Sequence, residues 1–123
     1  MKLIDNFFHI IDSCTTDDSY VCKVKLNAEH PIYSVHFPDN PVTPGVCLLQ
    51  MATEMLEQKY AKRLLLCKAK SIKFKKIIGP DEEPRFVFTK LAFADQQLSA
   101  TVSIEDDEVQ CAVMSLQFTV HNS

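Results

Sequence analysis

From Tyr20 to Leu26 apolar and polar residues alternate, with Tyr20, Cys22, Val24 and Leu26 on one side and Lys23 and Lys25 on the other. A period of two is the mark of a half-buried strand. Prolines at positions 31, 38, 41 and 44 then predict an extended, stiff loop in place of regular structure. This loop leads into the strongest helical signal in the chain. Thr43 offers a hydroxyl cap, Pro44 suits the first helical position because its missing N–H has no helical partner there, and Val46 to Leu66 holds no breaker. Val46, Cys47, Leu48, Leu49, Met51, Ala52, Met55 and Leu56 make the first three turns apolar nearly all round, which predicts a helix buried on most sides.

Alternating segments follow: 70–78 around Ile72 and Phe74, Arg85 to Ala94, then Leu98, Ala100, Val102 and Ile104 in register, then Val109 to Val120. Asp106 and Asp107 read as the hairpin turn between the last two. One long buried helix, one strand before it and four after it predict an α+β chain with an antiparallel sheet wrapped around the helix. A length of 123 residues predicts a single domain over 1–123.

Composition narrows the chemistry. The chain has two glycines where about eight or nine would be usual, so no glycine-rich phosphate loop exists. Its five cysteines (Cys14, Cys22, Cys47, Cys67, Cys111) are odd in number and never spaced C-x-x-C. They read as small buried hydrophobes in a reducing compartment, with neither a disulfide framework nor a zinc site. The first residues lack the unbroken apolar run of a signal peptide, and no later stretch approaches membrane-spanning length, which predicts a soluble cytoplasmic protein.

Net charge is −3 but very unevenly placed: eight basic residues and no acid lie between Lys59 and Lys76. Such a strip suits an acidic partner, whose approach it would steer. Nucleic acid is disfavoured, because the chain is acidic overall and Phe74 is the main aromatic in the strip.

Among four histidines, no third ligand with metal spacing accompanies His30 and His36, so no metal is expected. His36 stands out through the loop that follows it, which delivers the chain into a helix beginning near Gly45. Free N–H groups at a helix N-terminus polarise a carbonyl oxygen, a glycine admits close approach, and an imidazole moves protons at neutral pH.

The run HPIYSVHFPDNPVTPGVCLLQMATEML resembles the signature of the bacterial 3-hydroxyacyl-acyl-carrier-protein dehydratases, and KSIKFKKIIGPDEEPRFVF is similar to a later segment of that family. The resemblance implies a hotdog fold, no cofactor, a homodimer or higher oligomer joined sheet to sheet, and an acyl carrier protein as partner. It assigns His36 as the base that removes the α-proton and the Gly45 N–H as the carbonyl's partner. It further implies that Phe37, Pro44 and Val46 belong to the substrate site and that part of the basic strip lies near the tunnel mouth, so Lys73, Lys75 and Lys76 are expected to bind the partner. The expected activity is conversion of a (3R)-hydroxyacyl thioester to a trans-2-enoyl thioester. Gln50 stands where the family carries its catalytic glutamate, and Glu54 where it commonly carries glutamine, four residues on and so on the same helix face. Gln50 and Glu54 are therefore expected as an exchanged catalytic pair. Val35 and Asp39 replace two family glycines, and Asp39 offers a relocated acid. An acyl-thioesterase, or a non-catalytic carrier-binding hotdog subunit, is the alternative.

Overall fold

Along the chain come β1 (Phe8–Thr15), β2 (Ser19–Leu26), α1 (Pro31–Val35), α2 (Gly45–Tyr60), β3 (Arg63–Phe74), β4 (Arg85–Ala94), β5 (Gln97–Asp106) and β6 (Val109–His121). The computed structural model describes residues 2–35 and 38–121. Among these, the six strands form a sheet ordered β1-β2-β4-β5-β6-β3, antiparallel at every step.

The alternation seen in the sequence becomes the inner face of this sheet. Cys22, Val24, Phe86, Phe88, Leu98, Val102, Ile104, Met114 and Phe118 are buried on it. Helix α2 meets them with Cys47, Leu48, Met51, Ala52, Met55 and Leu56. Each such large side chain contributes about 1.5–3 kcal/mol by leaving water, so the helix is held chiefly by its packing. An antiparallel sheet around a central helix is the hotdog arrangement, as expected.

Several local expectations are corrected. Helix α2 stops at Tyr60, short of Leu66, because Ala61 takes a left-handed conformation with φ 53° and its N–H bonds to the Glu57 carbonyl. The Glu57 side chain then accepts the Leu64 N–H at 2.9 Å, turning the chain into β3. Thr43 does not cap the helix; its hydroxyl meets Tyr33 Oη at 2.8 Å, and Pro44 is the N-cap with no side-chain cap bond. The proline-rich segment begins with a short helix, since Pro31 occupies an entry position where its ring is tolerated. Cys14 and Cys67 are exposed, while Cys22, Cys47 and Cys111 are buried, and all five are free.

Strand β3 lies at an edge of the sheet, and Leu64 is its one buried residue. Leu66, Ala69 and Phe74 pair with the inward-facing Phe118, Leu116 and Ala112 and so face the same way. Leu66 is 39% and Phe74 56% exposed, so the inner face of β3 extends past the cover its own helix supplies. None of the described helices is long and apolar enough to cross a membrane.

Candidate functional site

The site is built on the first turns of α2. Its N-cap, Pro44, is extended at φ −62° and ψ 145°, and the intrahelical bonds to the Pro44 carbonyl come from Cys47 and Leu48. The N–H groups of Gly45 and Val46 therefore belong to the turn whose donors have no partner within the helix. Val46 is 73% exposed, so this end of the helix opens outward. Gly45, Leu48, Phe74, Lys75, Lys76 and Ile78 line a shallow cavity of about 250 Å³ at the helix start, together with Val42, Thr43 and Ile77. Two expected partner-binding lysines thus share a cavity with the expected carbonyl-binding glycine.

In the sequence Phe74 marks an alternating segment and is an aromatic within a basic strip, with nothing to tie it to Gly45. In the fold its ring packs on Gly45 so closely that a Cβ there would lie 2.6 Å from Cζ. Thr43 is anchored behind the cavity by its N–H to the Ile78 carbonyl at 2.8 Å and by Tyr33. Burial pushes the Tyr33 phenol up to about 12, which keeps it a neutral hydrogen-bonding group. Burial also raises the Cys47 thiol, so this cysteine at the helix start packs in its neutral form.

Gln50 comes about 7 Å farther along the helix axis than Gly45, and Glu54 about one turn beyond it. Spacing of four brings them together as expected: Gln50 Nε2 donates to Glu54 Oε2 at 2.7 Å. Glu54 is also 3% exposed and bound from the far end of the chain. The Leu3 N–H reaches both its carboxylate oxygens, at 2.9 and 2.8 Å, and the Ile4 N–H reaches Oε1 at 2.7 Å. Every one of these contacts brings a donor to the carboxylate. Nothing local in the sequence announces a bond spanning fifty residues, although the buried Leu3, Phe7 and Phe8 trace to the apolar character of MKLIDNFF.

His36 and Phe37 lie outside the described residues. Asp39 is exposed in a turn. His30 is structural: its Nδ1 accepts the Ile32 N–H at 3.1 Å, and its ring stands edge-on to Phe7. Among the described residues no cluster of three metal-ligating side chains occurs.

The basic strip divides in the fold. Lys68, Lys70 and Lys73 pair with Gln117, Ser115 and Val113 along β6. Lys75 Nζ is tied to Gln110 Oε1 at 2.6 Å, and Gln110 continues through Ser103 to Glu105. A separate acidic groove runs between Asp12, the 81–83 segment and the 105–108 turn.

The family model described as "ApeI-like: ApeI dehydratase" matches residues 12–115. The 3-hydroxyacyl-[acyl-carrier-protein] dehydratase FabZ of Lactobacillus helveticus is 29% identical over 94 residues, covering 67% of this chain and 64% of the relative's own length. Among solved structures, the dehydratase heterocomplex ApeI:P from Xenorhabdus doucetiae has a TM-score of 0.70 at 13% identity, covering 89% of this chain and 96% of that one. A hypothetical thioesterase with coenzyme A from Streptococcus pneumoniae TIGR4 has a TM-score of 0.66 at 13% identity, covering 97% and 92%.

These findings overturn the expected 3-hydroxyacyl-acyl-carrier-protein dehydratase activity. The similar structures combine a dehydratase with thioesterases at 13% identity, so the likeness shows the shared fold and singles out no dehydratase activity. Acyl-thioester chemistry in a hotdog fold is the common ground.

Proposed function

The chain belongs to the ApeI-like family; although that family is described by a dehydratase, we propose that this member is an acyl-thioester hydrolase, splitting an acyl thioester and water into a carboxylic acid and a thiol. The Gln50–Glu54 pair carries this reading. Expelling a β-hydroxyl calls for an acid that hands over a proton. Here the position that would hold it is an amide, and the neighbouring carboxylate is occupied as an acceptor by two backbone N–H groups and that amide. Hydrolysis needs different help: a donor on the carbonyl oxygen and an acceptor that orients water.

In this reading the thioester carbonyl lies against the first-turn N–H of Gly45, between Pro44 and the outward-facing Val46. Water approaches from the Gln50 side, one O–H donating a hydrogen bond to the Gln50 carbonyl oxygen and keeping its proton, which leaves the other proton for the base. His36 takes the other as the oxygen attacks the carbonyl carbon, and Phe37 lines the acyl path. Collapse of the tetrahedral intermediate breaks the C–S bond, and the proton held by His36 passes to the departing sulfur. His36→Ala tests this assignment: thiol release should fall at least tenfold, and an unchanged rate would remove His36 from the mechanism.

An acyl carrier protein is the proposed bearer of the thioester, meeting Lys75 and Lys76 at the cavity rim and Lys73 beside them on β3. A second copy of the chain is the proposed cover for the inner face of β3, where Leu66 and Phe74 are exposed. Light scattering should give twice the chain mass; a monomer would contradict that pairing.

A further inference from the structure

The segment from Leu3 to Phe8 is a tight turn with Asp5 in the left-handed region at φ 63°, and the N–H groups of Asn6, Phe7 and Phe8 are all directed to the Leu3 carbonyl. Its first N–H groups take their partners from outside the turn. Those of Leu3 and Ile4 find theirs in the buried Glu54 carboxylate. The turn is also packed in place: Leu3, Phe7 and Phe8 are buried, and Phe7 stacks on Tyr33 with ring centroids 5.3 Å apart. Tyr33 in turn bonds Thr43, immediately before the helix cap.

We infer that Glu54 is a positioning residue, a clamp that fastens the N-terminal turn to α2 and, with the same carboxylate, fixes which way the Gln50 amide faces. Both Glu54 oxygens accept in these contacts, so the amide nitrogen of Gln50 faces them and the amide oxygen is committed to the other side. Two backbone donors at Glu54 keep the carboxylate from turning away. The N-terminal turn thereby becomes part of the site although it holds no chemistry of its own. This inference rests on the proposed role of Gln50 as the acceptor that orients water.

Replacement of Glu54 by glutamine separates clamp from orientation. The carbonyl oxygen of the new side chain can still accept from Leu3 and Ile4, while its NH₂ now faces Gln50. To avoid opposing two donors, Gln50 turns its oxygen inward and presents its own NH₂ to the water. Thiol release by Glu54→Gln should therefore show kcat lower by about 10- to 100-fold with KM changed less than threefold. Amide hydrogen exchange at Leu3 and Ile4 should stay close to native. Glu54→Leu should lose both activity and that protection. In the double variant Gln50→Glu/Glu54→Gln, a carboxylate again offers acceptor oxygens to the water, and kcat should recover at least tenfold over Glu54→Gln.

Native kcat in Glu54→Gln would overturn the inference. So would loss of Leu3 and Ile4 protection in Glu54→Gln as complete as in Glu54→Leu, which would make Glu54 a structural anchor alone. If the native protein releases no thiol, the hydrolase reading fails instead. The clamp is then judged by the Gln50 side-chain amide resonances: a downfield proton in the native protein that is lost in Glu54→Gln supports it, and one unaffected by the substitution overturns it.

Discussion

The ring of Phe74 rests on Gly45, so that the first residue of α2 has no room for a side chain unless the ring moves. Phe74 sits on an edge strand and is half-exposed, so it can swing aside at modest cost. Gly45→Ala should destabilise the protein by about 1 kcal/mol, the low end for an added methyl in a packed place. The cost should vanish when Phe74 is also alanine. Urea unfolding of the two single variants and the double variant measures this coupling; additive effects would mean that ring and glycine do not interact.

Introducing a carboxylate at Gln50 alone should be costly. It would face Glu54 at the present 2.7 Å separation, where two ionised groups cannot coexist and one proton is shared. In Gln50→Glu the retained proton has a folded pKa above its unfolded value, so stability falls as pH rises between the two. Unfolding free energies should be near native around pH 4 and lower by about 2 kcal/mol at pH 7. The swap with Glu54→Gln should remove most of that pH dependence. A pH-independent deficit in Gln50→Glu would contradict the pairing.

Glu82 supplies a second titration. Burial raises its pKa above the ordinary 4.5, and the nearby Asp106 adds to the effect, while the Gly79 backbone and Lys76 oppose it. Its Oε2 is buried and has no hydrogen-bond partner among the described residues. The folded chain holds this proton more tightly than the unfolded chain. Stability is therefore lost as pH climbs from 4.5 toward the raised value, and then stays level. Glu82→Gln should be more stable than the native protein at pH 7 and show no advantage below pH 4; equal stability across the range would count against it.

Charge reversal on the basic strip should discriminate between thioester carriers. Lys73→Glu and Lys76→Glu should weaken hydrolysis of a carrier-protein-linked thioester far more than that of a short thioester. Lys75→Glu should also disturb the protein itself, because Lys75 holds Gln110 and through it Ser103. Equal losses on both substrates would refute the docking role.

Much of the fold was legible because burial writes a period of two into strands. Leu98, Ala100, Val102 and Ile104 all point inward from β5, as their spacing requires. β1 escaped notice because a bulge between Ile10 and Asp12 breaks its alternation. The end of α2 is not legible in the sequence, because Ala61, not glycine, adopts the left-handed cap and leaves no compositional mark. In the site, the spacing of Gln50 and Glu54 declared their contact. The other half of the Glu54 environment comes from Leu3 and Ile4, which only the folded chain brings near. The hairpin tip fell one residue later than expected, at Asp107 and Glu108, both with positive φ as a tight turn between twisted strands demands.

The most direct test follows thiol release and enoyl absorbance together, with the native protein and a 3-hydroxyacyl thioester. Hydrolysis predicts free thiol and 3-hydroxy acid at equal rates, with no enoyl absorbance. Enoyl thioester formed without thiol release would contradict the account.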